Sequence, residues 1–331
     1  MTQINIKFPH SICFDKYNDI IIDIENPFEN IIEIEGVDYV VCYLNNVNKK
    51  SKGGNSYILT LHNAQEFEEN GYDKPDLVLK LSKYQIVKRK KKGNERFENE
   101  IKALFNCNEK KFQNVISVYH TGVIQIIKKG EKNKKSPYYF KFPFYSMEFA
   151  KGDLKMYIEN TQPDLYKRID LCLEIANGLK ELVSEGYYHR DLKPDNIFVN
   201  DTTWKIGDLG LVDHREGEYL IDSINEIIGP RGWLSPEAMN KYLTMDKELL
   251  FKYDCKIDHQ SDIFQLGKIF WYILQGNAPI GCVNTKDFKI KDSKLFPILK
   301  TMLNHSKIKR YKTIDEVIKL LKPIHLEYLK S

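Results

Sequence analysis

The chain has no apolar run long enough for a membrane span. Its first residues, Met1-Thr2-Gln3-Ile4-Asn5, do not make the charged-then-apolar layout of a secretory signal. Both absences lead to the expectation of a soluble, cytoplasmic protein. Cysteine is sparse. The six residues (Cys13, Cys42, Cys107, Cys172, Cys255 and Cys282) are scattered, with no Cys-x-x-Cys pair, which argues against a zinc site or a disulfide framework and for reduced, partly buried thiols. There is no internal repeat. Stacking aromatics are missing from the two basic clusters, Lys88-Arg89-Lys90-Lys91-Lys92 and Lys128, Lys129, Lys132, Lys134 and Lys135. Nucleic acid is therefore not an expected partner. The plainer reading of the clusters is two solvated loops; the sharper one is a basic face, above all at Lys88–Lys92, for an acidic or phosphorylated partner.

What is present is globular in character. A hydrophobic share of 42% beside 29% charged residues, over 331 residues, suffices for two units with cores of their own. Val40 to Leu44, Tyr57 to Leu61 and Leu77 to Leu81 are short β-branched or aromatic runs that predict strands. A helix is expected from about Asn94, an acceptable N-cap, with Phe97, Ile101, Leu104 and Phe105 on one face and Glu100 beside them. Val115 to Ile127 and Tyr138 to Phe149 predict two more strands around the lysine-rich hairpin. After Gly152 the character turns helical: Leu171, Ile175, Leu179 and Leu182 recur at helical spacing, with Gly186 as a stop. Ile263 to Leu274 is apolar almost all round, so a buried helix is expected. Thr313 and Glu316 predict a capping box. Strands followed by helices, with a break near Ala150 to Gly152, suggest an α+β chain of two lobes meeting at a cleft. Residues 1–35 carry runs such as Ile20-Ile21-Ile22 and read as an ordered extension.

The stretch densest in chemistry is His189-Arg190-Asp191-Leu192-Lys193-Pro194-Asp195-Asn196, followed twelve residues past Asn196 by Asp208-Leu209-Gly210. It gathers carboxylates, cations and an amide near a β-like run, Thr203 to Ile206. Phosphoryl transfer needs in-line positioning and neutralised phosphate charge, which a base, a lysine and oxygen ligands for Mg²⁺ supply.

These motifs resemble the catalytic and metal loops of eukaryotic-type protein kinases, and the likeness extends from Lys80 to Arg310. It implies a two-lobed protein-kinase-like fold, with a β-rich N-lobe carrying one key helix and a mainly helical C-lobe. The domain would run over 36–331, its N-lobe about 36–149 and its C-lobe about 150–331, after an N-terminal extension at 1–35. By family position, Asp191 is the base for the acceptor hydroxyl and Lys193 neutralises the γ-phosphate. Asn196 and Asp208 are the Mg²⁺ ligands. Lys80 pairs with the ATP phosphates and is held by Glu100. Glu148 and Ala150 belong to the hinge at the adenine edge, with Met147 behind it as gatekeeper. Ile58, Val78 and Phe198 flank the adenine. Ser235-Pro236-Glu237, Asp262 and Arg310 match structural motifs that anchor the substrate-binding segment. ATP and Mg²⁺ are the implied cofactors, and a protein is the implied substrate.

The phosphate loop departs furthest from the family. Ser51-Lys52-Gly53-Gly54-Asn55-Ser56 stands where Gly-x-Gly-x-x-Gly is expected, so only Gly53 and the extra Gly54 let the backbone approach phosphate closely. Lys49, Lys50 and Lys52 offset the loss by charge. A pseudokinase that binds a nucleotide or a partner without turnover is the rival reading. A small-molecule kinase is the other, opposed by Lys193 and the Ser-Pro-Glu segment. Asn63 to Asp76 reads as an extended hairpin or insertion, and Leu209 replaces the usual phenylalanine. Lys193-Pro194 follows the serine/threonine pattern, whereas Gly229-Pro230-Arg231-Gly232-Trp233 resembles the tyrosine one, which leaves dual specificity open. Between Asp208 and Glu237 the acceptor hydroxyls ahead of Ser235 are Tyr219 and Ser223. A phosphate on either would suit Arg190 or the Lys88–Lys92 cluster; Glu216, Glu218 or Glu226 would otherwise take that place.

Overall fold

The computed structural model describes the chain except residues 1, 9, 16–18, 45–54, 73–74, 87–91, 129–138, 201, 218, 220, 224–225, 245–246, 248–252 and 331. Gly53, Gly54 and the lysines before them lie outside the described residues, as do Lys88 to Lys91, Lys129 to Lys135 and Glu218. The chain divides into two compact units, Met1–Ile101 with Ser117–Phe149, and Lys102–Ile116 with Ala150–Ser331.

The first unit is built on β1 (Thr2–Ile6), β2 (Cys13–Phe14), β3 (Ile20–Ile21), β4 (Ile31–Ile34), β5 (Val37–Tyr43), β6 (Ser56–Asn63), β7 (Leu77–Ser82), β8 (Val118–Lys128) and β9 (Tyr139–Glu148). These form one nine-stranded sheet in the order β1-β4-β5-β6-β7-β9-β8-β2-β3. β8 also pairs in parallel with β1, Ile4 opposite Ile124. Seven strands therefore close into a barrel, and closure removes edges at which an open sheet would recruit other chains. Alternate residues fill its interior, among them Ile4, Ile32, Leu59, Leu79, Ile124 and Phe144, none more than 3% exposed. The segment 1–35 supplies β1 to β4 of this sheet. Glu35 (φ 52°) and Gly36 (φ 83°) make the tight turn between β4 and β5. Two left-handed residues suit the twist of a hairpin, and glycine adopts the second without strain.

Two expectations shift at this level. The stretch from Asn63 to Asp76 contains a short helix, α1 (Phe67–Asn70), whose Phe67 packs on Val40 and Cys42. The helix expected from Asn94 begins earlier, as α2 (Lys92–Glu109). Asn94 is not its cap: it is buried inside the first turns, and its Nδ2 donates to the Gln85 carbonyl at 3.0 Å, holding the preceding loop.

The second unit contains β10 (Gly152–Asp153), α3 (Leu154–Asn160), α4 (Leu165–Ser184), β11 (Tyr187–Tyr188), β12 (Ile197–Asn200), β13 (Thr203–Ile206) and β14 (Asp213–His214), then α5 (Pro236–Thr244), α6 (His259–Gln275), α7 (Leu295–Met302) and α8 (Ile314–Lys330). Asp164 caps α4 by accepting from the Lys167 amide at 2.8 Å. The periodic Leu171, Ile175, Leu179 and Leu182 are buried where α4 packs on α6, α8 and β13. Gly178 allows that approach, because a Cβ there would lie 2.6 Å from the Asn114 carbonyl. α6 is buried almost all round and is capped at its start by Asp258. At α8 the Thr313 hydroxyl donates to the Glu316 carboxylate at 3.4 Å, a side-chain contact in place of the expected exchange with the backbone. Cys13, Cys42, Cys107 and Cys172 are buried and form no disulfide. Among the described residues no helix is long and apolar enough to cross a membrane.

Candidate active site

Lys80 lies on β7 between buried leucines of the barrel interior, so its own side chain is turned to the outer face. Ile58 and Tyr145 are its cross-strand neighbours, and Val78 faces Met147 one step along. Ile58, Val78, Lys80, Tyr145 and Met147 thus share one face. Glu100 of α2 reaches the same face, where the Lys80 ammonium donates to its Oε1 at 2.7 Å. The Tyr145 hydroxyl donates to the same oxygen at 3.0 Å. Lys80 is 7% exposed and Glu100 1%. Burial of this degree strengthens the attraction and makes loss of either partner costly. The Glu148 amide donates to the Ser117 carbonyl at 3.0 Å and its carboxylate accepts from the Ser117 amide at 2.6 Å, which pins the end of β9.

In the second unit the loop 189–196 is suspended from buried side chains of α6. Asp262, fully buried, accepts from the amides of His189 and Arg190, both at 2.8 Å. Burial pushes its carboxyl up to about 7, against the pull of those two amides and the Arg190 charge. Gln265 Oε1 accepts from the Leu192 amide at 3.3 Å. Arg190 takes a left-handed φ of 64°, outside the comfort of a side-chain-bearing residue, and the Asp262 bonds hold it there. His189 is fully buried, with Nδ1 accepting from the Asp191 amide at 3.2 Å and Nε2 facing the Gly207 carbonyl at 3.1 Å. This pattern selects the neutral Nε2–H tautomer. Burial lowers its pKa to about 4. The imidazole thereby ties Asp191 to the residue before Asp208.

Asp191 and Asn196 are joined directly: Asn196 Nδ2 donates to the Asp191 carbonyl at 2.9 Å and to Oδ2 at 3.0 Å. The Lys193 ammonium lies 3.5 Å from Asp191 Oδ2. Burial raises the Asp191 carboxyl to about 6; Asp208 adds to the rise, while Lys193 and Asn196 oppose it. With Nδ2 so engaged, the Asn196 amide oxygen is turned away from Asp191. Asp208 has φ 58° and follows Gly207, whose amide donates to the Asn196 carbonyl at 3.0 Å. An amide oxygen and a carboxylate whose charge reaches Asp191 are hard donors of the kind Mg²⁺ prefers. Among the described residues no group of three or more His, Cys, Asp or Glu is set to hold a metal. A cation at Asn196 and Asp208 would complete its shell with water and phosphate oxygens. Phe198 is half-buried on β12, opposite Lys205 and Asp153, and Ala150 opens this unit. Leu209 is fully buried.

The Ser-Pro-Glu segment has its own clamp. Arg310 donates to Glu237 Oε1 at 2.6 Å and Oε2 at 3.1 Å, and to the carbonyls of Asn304, His305 and Gln260. Five N–H groups are thus all used.

Arg190 is engaged differently from expectation. Neither Glu216 nor Glu226 takes its fork: Asp222 does, bidentately, at 2.8 and 3.0 Å. Glu226 instead accepts from the Ser223 amide at 3.0 Å. Sequence reasoning missed Asp222 because an aspartate in an irregular segment has no periodicity to betray its direction. It also missed Tyr145 and Gln265, which sit in apolar runs and read as core. His189 was quoted as part of a motif without a task.

The model of the protein kinase domain matches residues 74–327 of the chain. The chain belongs to that family. It is also similar to the RAF proto-oncogene serine/threonine-protein kinase of Xenopus laevis, 25% identical over 133 residues. That match covers 40% of this chain and 19% of the length of the relative. Membership of the family implies ATP, a divalent metal and protein substrates.

Proposed function

We propose that the chain transfers the γ-phosphoryl group of ATP to serine or threonine hydroxyls of proteins, with Mg²⁺, and that it phosphorylates itself. The observation that carries this reading is Asp191, a partly exposed carboxylate held by Asn196 at 3.0 Å with Lys193 at 3.5 Å. In the step, the acceptor oxygen bonds to the γ-phosphorus, the bond to the ADP oxygen breaks, and the hydroxyl proton passes to Asp191. Lys193 balances charge on the transferring group. Lys80 holds the α- and β-phosphates, and Glu100 holds Lys80 in place. Asn196 and Asp208 would hold Mg²⁺, which supplies neutralisation of phosphate charge when bound. By family position Gly53 and Gly54 belong to the phosphate loop, outside the described residues. Ile58, Val78 and Phe198 contact adenine, Glu148 and Ala150 meet its polar edge, and Met147 lies behind it.

The catalytic domain under this reading is 36–331, dividing into lobes near Phe149 and Ala150, with 1–35 as an extension that completes the first sheet. The serine/threonine preference rests on Lys193-Pro194 and agrees with what the RAF relative is called. The test is phosphate transfer from labelled ATP to casein and to the chain itself, with and without Mg²⁺, followed by phosphoamino-acid analysis. Phosphoserine and phosphothreonine are expected; phosphotyrosine alone would reverse the specificity. Wild-type transfer no greater than that of Asp208→Ala would sink the enzyme reading in favour of a pseudokinase, the reading that the glycine-poor loop Ser51–Ser56 favours.

A further inference from the structure

The side chain of Arg190 is 2% exposed, yet it stands next to the proposed base and points away from it. Its Nε donates to the Leu211 carbonyl at 2.7 Å, three residues past Asp208. Its two terminal nitrogens grip Asp222 through both carboxylate oxygens. The Lys241 ammonium of α5 bonds to the same carboxylate at 2.5 Å. The Asp222 and Lys241 side chains are 3% and 9% exposed. One anion therefore joins three pieces of backbone: the catalytic loop, the segment after Asp208, and the helix after Ser235. Asp213, 3.7 Å from Arg190, is a weaker second partner.

Charge balance makes Asp222 the centre of this cluster. Two buried cations converge on it, and without its charge they would lie desolvated beside each other. Burial alone would raise its carboxyl, but Arg190 and Lys241 hold it down at about 2, so it is an anion at every physiological pH. A bidentate guanidinium–carboxylate fork uses the same donors that a phosphate would need. Gly229 passes the opposite side of the catalytic loop, where a Cβ would come within 2.9 Å of the Arg190 carbonyl. Its φ of 112° is a conformation that favours glycine. The segment is thus bonded to Arg190 at Leu211 and Asp222 and passes close to it at Gly229. The two hydroxyl residues it carries ahead of Ser235 have other settings. The Tyr219 ring packs 5.9 Å from Tyr187 and 6.0 Å from His214, and Ser223 is exposed.

We propose that Asp222 is a positioning residue that holds the loop of Arg190 and, through Lys241, α5 in place, so that phosphoryl transfer needs no phosphorylation of Tyr219 or Ser223. This rests on the kinase reading above and concerns the regulation of that same site. The carboxylate occupies the fork permanently, where a phosphate would occupy it only after modification.

The test uses the full chain, treated with a broad-specificity protein phosphatase until mass spectrometry finds Tyr219 and Ser223 unmodified, then freed of the phosphatase. Its initial rate is expected to stay within about two-fold of the untreated protein, as are the rates of Ser223→Ala and Tyr219→Phe. Asp222→Asn removes the charge while keeping the shape. It is expected to lower kcat about ten-fold or more with little change in KM for ATP, and Asp222→Glu to recover part of the loss. A purely structural role would lower the folded fraction without this split or this rescue. Loss of activity on phosphatase treatment, regained on rephosphorylation of Tyr219 or Ser223, overturns the proposal, and so does full kcat in Asp222→Asn. If Asp222→Asn does not fold, the phosphatase arm on wild type decides alone. Wild type that transfers no more phosphate than Asp208→Ala rejects the kinase reading itself, a different outcome from phosphatase-sensitive transfer.

Discussion

Two buried ion pairs, one in each unit, show how the same chemistry can be put to different uses. Arg310–Glu237 is closed: the guanidinium spends its five donors on Glu237 and three carbonyls, and Glu237 Oε2 also accepts from Ser261 at 3.0 Å. Its side chains are 0% and 2% exposed, and its planar fork admits one geometry. Lys80–Glu100 joins a point charge on a strand to a carboxylate on a helix, with Tyr145 steadying the carboxylate. A closed fork fixes a backbone, whereas an ammonium on a flexible stem suits the phosphate contact proposed for Lys80. Burial is nearly equal in the two pairs. The donor geometry distinguishes them.

Breaking the closed pair should have the largest effect. Arg310→Met leaves Glu237 buried without its cation and is expected to lower stability by about 3–5 kcal/mol, read by denaturant unfolding. An unchanged midpoint would mean the fork carries no structural load. Lys80→Met should cut phosphate transfer by about 10²–10³-fold. Its thermal loss is expected to be smaller than that of Arg310→Met, which also strands the carbonyls of Asn304, Gln260 and His305. Equal destabilisation by the two variants would erase the distinction between the pairs.

A third variant probes the support of the catalytic loop. Asp262→Asn turns an amide donor toward one of two backbone N–H groups and should cost about 1–3 kcal/mol. Wild-type stability would show that the loop is held by its other bonds. Tyr145→Phe removes one hydrogen bond to Glu100, expected at about 0.5–1.5 kcal/mol. Its signature should be a raised KM for ATP beside a small fall in melting temperature.

The smallest effect is a shift along the pH axis. Asp191 must be ionised to accept a proton, so kcat/KM should fall on the acid side below about 6. Lys193→Met should move that limb upward, because the lysine charge favours the carboxylate. An unmoved limb would assign the titration to another group. The sign for stability is opposite. Unfolded Asp191 releases its proton near 3.8 and the folded one near 6, so its contribution to stability is full below 3.8 and lost as pH rises through 6.

Much of the fold was legible because alternation and helical spacing report burial directly. The strand around Lys80, the periodic face of α4 and the all-round burial of α6 were readable for that reason. The motif from His189 to Asn196 was readable because its chemistry is packed into contiguous residues. The barrel closure was not: β1 meets β8 more than a hundred residues away, and nothing local in Ile4 names Ile124 as its neighbour. The start of α2 was misplaced because Asn94, a good cap by type, was recruited to bind Gln85 instead. Asp222 was passed over for the same kind of reason. Four acidic residues share the segment from Glu216 to Glu226, and only packing selects among them.

By itself the sequence determined which groups are available: a carboxylate, two cations, an amide, a second carboxylate and the strand lysine, at offsets that define the family. It also determined which faces are buried, since period and polarity are local properties. Only the tertiary structure decided how those groups are committed. It turned the Asn196 amide toward Asp191, gave the Arg190 fork to Asp222, and set Tyr145 on Glu100. The physical reason is that hydrogen-bond partners are chosen by direction and desolvation across long stretches of chain, and neither is written in the order of residues.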